Sequence, residues 1–260
     1  MTRRVPSEPS GRGLLEDKTV VVTAAAGTGL GFAAARRCMA EGARVLISDI
    51  HERRLGEAAD RLAEEFGTRP AAQLCNVTVE EDVGALIGAA TGELGHVDVM
   101  INNAGLGGTA DLVDMTDEQW HAVIDVTLNG TMRTTRAALR HMMPRRSGVI
   151  VNNASVIGWR AQAGQSHYAA AKAGVMALTR CAAMEAAEAG VRVNCVAPSL
   201  AMHPFLAKTS SQEFLDSLIS LEAFNRAAEP WEVANVMVFL ASDYSSYMTG
   251  EIVSVSSQHP

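Results

Sequence analysis

Short β-branched segments alternate with alanine-rich helical patterns along most of this 260-residue chain, and this alternation restricts its fold more than any other feature. Several strand segments are apolar at nearly every position, as expected for strands covered on both faces. The alternation predicts an α/β fold, a doubly wound parallel sheet with helices on both faces. We expect seven strands at 18–23, 44–49, 71–75, 97–101, 148–154, 191–196 and 252–255. We expect helices near 29–41, 51–66, 79–93, 116–142, 167–189 and 230–241.

Two segments depart from the alternation. Residues 1–16 are rich in Pro, Ser, Gly and charge, and we expect them to form a mobile N-terminal extension. Residues 199–229 combine a Thr-Ser-Ser run with short apolar patches, which suits a lid over a substrate or, alternatively, a plain surface connection. Because no repeat or composition change marks a second domain, residues 17–260 are expected to form a single domain.

Charge and composition restrict the partners. The 29 acidic residues exceed the 22 basic ones, which gives a net charge of −7, and a basic cluster is lacking, so we expect no nucleic acid partner. Apolar runs stay short of the roughly 18 residues of a membrane span, and the N-terminus does not resemble a secretory signal. The seven histidines lack ligand spacing, so a metal is not expected. We expect a cytoplasmic protein with reduced, widely separated thiols at Cys38, Cys75, Cys181 and Cys195.

A glycine-rich turn joins the first predicted strand to the first helix. Gly29 and Gly31 begin a G-x-G-x-x-A match, in which backbone N–H groups can approach a pyrophosphate at a helix N-terminus. Asp49 follows Gly29 by 20 residues, and its carboxylate can accept hydrogen bonds from an adenosine ribose. The same charge repels a 2′-phosphate, which favours NAD over NADP. Arg53 and Arg54 either soften that preference or lie on a solvated helix face.

A second group of residues suits proton transfer. The spacing of four between Tyr168 and Lys172 places a phenol and an ammonium on one helical face. A nearby cation lowers the pKa of a tyrosine from its reference value near 10, as a general acid/base near neutral pH requires. Ser155 precedes Tyr168 by 13 residues, at the carboxyl end of the fifth strand, where doubly wound sheets bind their ligands. Its hydroxyl can orient a carbonyl or alcohol oxygen toward Tyr168.

Together these motifs resemble the short-chain dehydrogenase/reductase family over residues 15–255. The matching segments are the loop 27–31, Asp49, the Asn-Asn-Ala-Gly run at 102–105, Ser155, Tyr168, Lys172, and the Asn-x-x-x-Pro at 194–198. The resemblance implies a Rossmann-type fold, a nicotinamide dinucleotide, a homotetramer, and proton exchange by Tyr168. The implied cofactor residues are Gly27, Thr28, Gly29, Leu30, Gly31, Asp49, Asn76, Val77, Asn103, Ala104, Gly105, Tyr168, Lys172 and Pro198.

Within this resemblance, the cofactor loop departs from the family pattern. An alanine follows Thr23 where the family has glycine, and one extra residue precedes Gly29. We expect this to alter the phosphate cradle while leaving its backbone donors. Asn76 replaces the adenine-side aspartate, and so retains an acceptor without the charge. Ser199 and His203 occupy positions where the family has a glycine and a carboxamide-contacting threonine.

The catalytic set departs from the family pattern at Thr127. This threonine stands where the family has a proton-relay asparagine, and we expect its hydroxyl to hold the relay water. Asn129 lies two positions later, about 200° round the helix, and should not substitute for that asparagine.

A closer resemblance is to actinobacterial members of the family that degrade steroid rings. The similar segments are 159–162, 165–167, 228–231 and 243–247. Those relatives handle bicyclic hydroxy/keto acyl-coenzyme A thioesters, which implies such a substrate here. The candidate substrate residues are Trp159, Arg160, His167 and His203, each with a purely structural alternative. Lys208 and Arg226 are candidates for the thioester's phosphates or carboxylate, or else are ordinary surface charges.

We therefore expect an NAD-dependent oxidoreductase that interconverts a secondary hydroxyl and a ketone on a bulky, cyclic acyl-CoA in catabolism, with hydroxyl oxidation favoured. A 3-oxoacyl-thioester reductase, acting on an acyl carrier protein or CoA thioester, is the rival enzyme and would prefer NADPH. A non-catalytic dinucleotide sensor is the rival from another class. Thr127 and the enlarged loop favour the sensor, whereas the intact set of Ser155, Tyr168 and Lys172 opposes it.

Overall fold

The computed structural model describes residues 5–202 and 212–257. Within them, seven strands form one sheet in the order β3-β2-β1-β4-β5-β6-β7. All neighbouring strands are parallel, so their carboxyl ends lie at one edge of the sheet, and the predicted fold class is confirmed. The strands are β1 (Thr19–Val22), β2 (Arg44–Asp49), β3 (Ala71–Leu74), β4 (Val99–Asn102), β5 (Val149–Asn153), β6 (Arg192–Pro198) and β7 (Ile252–Val255).

The helices cover both faces of this sheet. Helices α1, α2 and α8 pack over one face and α3, α5 and α6 over the other, each in its own apolar cluster. The central strands β1 and β4 are buried at every position because they are covered on both faces. The helices are α1 (Leu30–Ala40), α2 (Glu52–Phe66), α3 (Glu80–Leu94), α4 (Asp117–Ile124), α5 (Gly130–Arg145), α6 (Ser166–Ala186), α7 (Gln212–Ser220) and α8 (Pro230–Ala241).

The long helix predicted at 116–142 is interrupted. Helix α4 passes into a π-helical segment, Asp125–Asn129, and α5 follows it directly. A capping box between Thr116 and Gln119 begins α4, which explains the predicted start. Hydrophobic periodicity does not reveal the π segment, because one extra residue in a turn barely changes which positions are apolar. Such segments occur often at functional sites, and this one contains Thr127.

Part of the N-terminal segment, expected to be a mobile extension, lies against α1. Glu8 forms an ion pair with Arg36, and Leu15 is fully buried in the core. The buried carboxylate of Glu41 accepts hydrogen bonds from the backbone N–H groups of Arg12 and Leu14. The packed domain therefore begins earlier than residue 17, because charged groups on and just after α1 bind this polar segment.

The segment 199–229 is joined to the sheet at its start, where the backbone N–H of Ser199 donates to the carbonyl of Val255 in β7, and its two ends are joined to each other. Ala201 and Ala228 form a parallel bridge, and Leu200 donates a backbone hydrogen bond to Glu222. Helix α7 lies within this segment, with Leu215 buried. His203 and Lys208 lie outside the described residues.

Among the described helices, none combines the length and apolarity needed to cross a membrane.

We predict that Glu41→Gln lowers the free energy of unfolding by about 3 kcal/mol, because it leaves the buried Arg37 guanidinium without its counter-charge. Chemical denaturation of both proteins measures the difference. The control is Glu57→Gln, since the Glu57–Arg53 pair has the same spacing of four but is exposed. It should cost less than about 0.5 kcal/mol. Equal losses in the two variants would contradict the role given to Glu41.

Candidate active site

The turn between β1 and α1 provides an open cradle at a helix N-terminus. Gly27 adopts a φ of +100°, a conformation that side chains disfavour. No described atom lies within 4 Å of where a Cβ would stand at Gly27 or Gly29. At Gly31, in contrast, a Cβ would overlap the carbonyl oxygen of Ala24. The first two glycines thus leave room for a ligand, whereas Gly31 permits close packing of α1 on the turn.

Ala24 adopts a backbone conformation that would be less strained in a glycine. Ala24 has a φ of +51°, in the left-handed region. For residues with a Cβ this region costs about 1–2 kcal/mol. The departure from the family pattern at this position therefore places backbone strain directly beside the cradle.

A network of side chains braces the carboxyl ends of β1, β4 and β5. The Thr23 hydroxyl accepts hydrogen bonds from the backbone N–H groups of Asn103 (2.9 Å) and Ala104 (3.0 Å). The Asn103 amide donates to the carbonyls of Thr23 and Ala24 and accepts from the Asn153 amide at 3.0 Å. Sequence reasoning missed the bracing roles of Thr23 and Asn153, because only the fold brings these strand ends together.

Asp49 lies at the end of β2, beside the same turn. Its carboxylate accepts hydrogen bonds from the backbone N–H groups of Ala26 (3.2 Å) and His51 (3.0 Å). Burial raises the pKa of Asp49, while the Ala26 hydrogen bond and the charge of Arg54 act to lower it. Asp49 thus shapes the glycine-rich turn, and its remaining lone pairs can accept hydrogen bonds from a ribose.

At the end of β3, the structure changes the role expected for Asn76. Its side-chain oxygen, predicted to serve as an acceptor for adenine, accepts hydrogen bonds from the backbone and hydroxyl of Thr78. This local turn leads into α3 and uses that oxygen, as asparagine side chains often do. Val77 is buried, and its side chain lies where a Cβ on Gly130 would stand. Its observed contact is therefore with the start of α5.

Ser155 and Tyr168 meet at the carboxyl edge, as their spacing predicts. Ser155 is buried, and its hydroxyl donates to the carbonyl of Pro198 at the end of β6 (3.4 Å). Burial raises the pKa of Tyr168 above its ordinary value, and a hydrogen bond with Ser155 acts to lower it. The expected lowering by Lys172 is not found, because desolvation is the largest influence on the phenol.

Lys172 is buried one turn beyond Tyr168. Its Nζ donates a 2.6 Å hydrogen bond to the carbonyl of Asn153 and lies 5.5 Å from the centre of the Tyr168 ring. Burial lowers the pKa of Lys172 to about 8. A Cβ on Gly105 would stand 3.4 Å from this Nζ, so the loop after β4 approaches the ammonium closely.

Thr127 holds the loop after β4. Its hydroxyl accepts from the backbone N–H of Leu106 (2.9 Å) and donates to the Leu106 carbonyl (3.1 Å). The contacts observed for Thr127 are therefore within the loop, and its expected role in holding the relay water stays a prediction. Asn129 donates to Asp125, in agreement with the expectation that it does not substitute for the family's asparagine.

Three of the four candidate substrate residues fall within the described part of the chain. His167 is buried beneath the loop after β4, where a Cβ on Gly108 would stand 3.2 Å from its Nε2. Its Nδ1 is buried and has no hydrogen-bond partner among the described residues. Trp159 is half-exposed, and Arg160 follows it in the chain. His167 is therefore buried under the loop that contains Gly108, whereas Trp159 is accessible.

Arg226 does not supply the free cation that the sequence suggested for a thioester. Its guanidinium forms two hydrogen bonds, of 2.6 and 2.8 Å, to the carboxylate of Glu232. Glu232 lies in the first turn of α8 and also accepts from the backbone of Glu229. This pairing raises the pKa of Arg226 and lowers that of Glu232, so the two charges offset each other.

The carboxyl edge fits a dinucleotide with a reactive ring. The open backbone at Gly27 and Gly29 lies before the N-terminus of α1, where helix geometry favours an anion such as a pyrophosphate. Asp49 provides acceptors, and Lys172 provides a donor beside Tyr168. A doubly wound sheet with such a cradle and a Ser–Tyr–Lys set defines the class of dinucleotide-dependent oxidoreductases.

Comparisons with known proteins agree with this class. The profile of the family described as Enoyl-(Acyl carrier protein) reductase matches residues 24–257. A Mycobacterium tuberculosis protein named (5R,7aS)-5-hydroxy-7a-methyl-1-oxo-2,3,5,6,7,7a-hexahydro-1H-indene-carboxyl-CoA reductase is 62% identical over 256 residues, 98% of each chain. The crystal structure of a Mycobacterium smegmatis short chain dehydrogenase superposes with a TM-score of 0.88, at 58% identity over 99% of each chain. A 3-oxoacyl-[acyl-carrier-protein] reductase of Chlamydia trachomatis is 35% identical over 94% of this chain and 97% of its own.

The chain therefore belongs to the short-chain dehydrogenase/reductase family and is an oxidoreductase that uses a nicotinamide dinucleotide. The family resemblance predicted from the sequence is confirmed, as is the closer likeness to an actinobacterial relative.

We predict that Gly29→Ala weakens NAD binding without loss of stability, whereas Gly31→Ala lowers the stability of the fold. At Gly29 a methyl group meets open space, so the variant should keep its melting temperature but bind NAD at least about tenfold more weakly. At Gly31 the overlap with Ala24 should destabilise the fold by at least about 2 kcal/mol. Thermal unfolding and calorimetric titration separate the two effects. Unchanged NAD affinity in Gly29→Ala would remove the cradle from the binding site.

We also predict that Lys172→Met stabilises the protein at pH 7 by about 1–2 kcal/mol while abolishing activity. Lowering the lysine pKa from 10.5 to about 8 corresponds to roughly 3 kcal/mol, partly offset by the hydrogen bond to Asn153. The burial cost is fully present below pH 8. Between pH 8 and 10.5 the unfolded chain binds more protons than the folded protein, so the cost fades as pH rises.

Denaturation of both proteins at pH 7 and pH 10 checks this. The stability gain of Lys172→Met should shrink at pH 10. A gain that is absent at pH 7, or that grows with pH, would show that the buried ammonium is not a source of instability.

Proposed function

We propose that this oxidoreductase uses NAD to interconvert a secondary hydroxyl and a ketone on a bulky cyclic acyl-coenzyme A thioester, in the breakdown of steroid rings. The observation that carries the proposal is the 62% identity, over 98% of both chains, to a relative named for a bicyclic carboxyl-CoA. The catalytic set is positioned for the chemistry of that relative, and the surface around it suits a large apolar ring.

Side chains of this protein bind the reacting oxygen and transfer its proton. Ser155 holds the reacting oxygen, and Tyr168 donates a proton to a ketone or accepts one from an alcohol. When bound, the nicotinamide donates or accepts the hydride at the carbinol carbon. Burial acts to raise the pKa of Tyr168 and its hydrogen bond with Ser155 acts to lower it, so Ser155 helps the phenol to release its proton.

We propose that exposed apolar side chains form a rim at this site. Its side chains lie in segments that follow the carboxyl ends of β4, β5 and β6, and each is exposed by more than a third. They are Leu106, Leu112, Val113, Trp159, Leu221 and Phe224. Exposed apolar side chains that lie together mark binding surfaces. We propose that residues 199–229, with Leu215 of α7 packed inward, form a lid that works with this rim, and that Trp159 and His167 contact the ring directly or through the loop after β4.

The preference for NAD over NADP rests on Asp49. Its carboxylate is held in place by Ala26 and His51, where it would repel a 2′-phosphate. Arg53 pairs with Glu57 and is strongly exposed, which supports its reading as a solvated residue. A marked preference for NADPH would instead favour the rival 3-oxoacyl-thioester reductase.

We further propose a cytoplasmic homotetramer. All four cysteines are free thiols, which suits a reducing compartment. Exposed apolar side chains on the surface of α6 and near the C-terminus, such as Met184 and Tyr247, suit subunit contacts.

Steady-state kinetics tests the substrate. We expect kcat/KM for a bicyclic hydroxyacyl-CoA to exceed that for its free acid, and to exceed that for 2-butanol by at least about 10²-fold, because burial of the ring stabilises the transition state. Both NAD and NADP are supplied as cofactor, and both directions are measured.

Tyr168→Phe is the matched control. It should lose about 10²–10⁴-fold in rate while NAD binding stays nearly intact, since the substitution removes only the phenolic hydroxyl. Equal kcat/KM for 2-butanol and the thioester would overturn the proposed substrate class. Near-normal rates in Tyr168→Phe would overturn the mechanism.

A further inference from the structure

Arg61, a surface residue on α2, reaches the phosphate cradle. One guanidinium nitrogen donates a 3.0 Å hydrogen bond to the carbonyl of Gly27. The guanidinium carbon lies 4.1 Å from the centre of the Phe32 ring on α1. An arginine held both by an aromatic face and by a carbonyl has little freedom to move away. The side chain therefore links α2 to the turn before α1.

The carbonyl that Arg61 binds belongs to the most adaptable part of this turn. Gly27 has a φ of +100°, and the position of its missing Cβ has no described neighbour within 4 Å. A peptide unit beside such a glycine can rotate with little steric resistance. The preceding residue, Ala26, is held differently, since its N–H donates to Asp49.

Holding one end of a peptide unit determines the other end. The Gly27 carbonyl and the Thr28 N–H belong to one planar trans unit, in which the two groups point in opposite directions. When Arg61 draws the carbonyl toward α2, the Thr28 N–H is turned away from α2. Without Arg61 this unit is free to flip, and the turn loses a defined backbone donor.

We propose that Arg61 is a positioning residue for the dinucleotide. It holds the Gly27–Thr28 peptide so that the enlarged turn keeps an arrangement of N–H groups that receives a diphosphate, and it adds a positive charge beside that anion. Asp49 and Arg61 then hold neighbouring residues of one turn, from the end of β2 and from α2. The inference rests on dinucleotide binding and not on the proposed substrate.

Binding of NAD⁺ to purified protein, without any substrate, tests the proposal. Isothermal titration calorimetry compares the parent protein with Arg61→Ala and Arg61→Lys. The matched control is Arg69→Ala, since Arg69 is an exposed arginine that binds Asp60 of α2. We expect Arg61→Ala to raise Kd about fivefold to tenfold, with Arg61→Lys in between and Arg69→Ala within twofold of the parent.

Two further readouts separate positioning from general loss of structure. Amide hydrogen exchange across residues 24–30 should accelerate in Arg61→Ala and not in Arg69→Ala, with melting temperatures of both close to the parent. The KM for NAD⁺ should rise while kcat at saturating NAD⁺ stays within twofold. An unchanged Kd, an unchanged exchange rate in this segment, or an equal effect of Arg69→Ala would overturn the proposal. Each of these results is independent of which alcohol or thioester the enzyme turns over.

Discussion

A chain of hydrogen bonds joins the glycine-rich cradle to Lys172, and the geometry of the site depends on it. The Ala24 carbonyl accepts from the Asn103 amide, whose oxygen accepts from the Asn153 amide, and the Asn153 carbonyl accepts from Lys172. Since every link is a short polar contact between strand ends, the strands β1, β4 and β5 must keep their parallel register for the site to exist. The register in turn is stabilised by the apolar residues buried on both faces of the sheet.

Several groups at the carboxyl edge of the sheet are held in arrangements that lower the stability of the fold. Ala24 occupies a left-handed conformation, and the ammonium of Lys172 is buried deeply enough to bring its pKa to about 8. Tyr168 has its pKa raised by the same burial. Each of these features lowers the free energy of unfolding, and packing elsewhere in the fold compensates for the loss. Such strain is common at functional sites. The buried Arg37–Glu41 pair on the far end of α1 has no such link to the chemistry and serves the packing of the N-terminal segment.

Sequence reasoning could predict what depends on local spacing. Tyr168 and Lys172 lie on one face because a helix repeats every 3.6 residues, and Ser155 joins them because it follows a parallel strand. It could not predict contacts that arise only when distant segments meet. Arg61 contacts Gly27 across 34 positions of sequence, and nothing around it differs from an ordinary solvated helix. At Asn76 the sequence also did not reveal a local turn, in which Thr78 binds the oxygen that was assigned to a ligand.

The proposed proton chemistry, cofactor preference and substrate preference depend on different parts of the structure. In the proposed function the proton chemistry belongs to Ser155, Tyr168 and Lys172, which lie at the start of a short helix after β5 and on α6. The proposed preference for NAD rests on Asp49, at the end of β2 beside the cradle. We assign the proposed preference for a large substrate to loops, because the proposed apolar rim lies in the segments that follow the strands. A fold can keep the first two while its loops change, so fold and catalytic set alone define the reaction but leave the substrate to the rim.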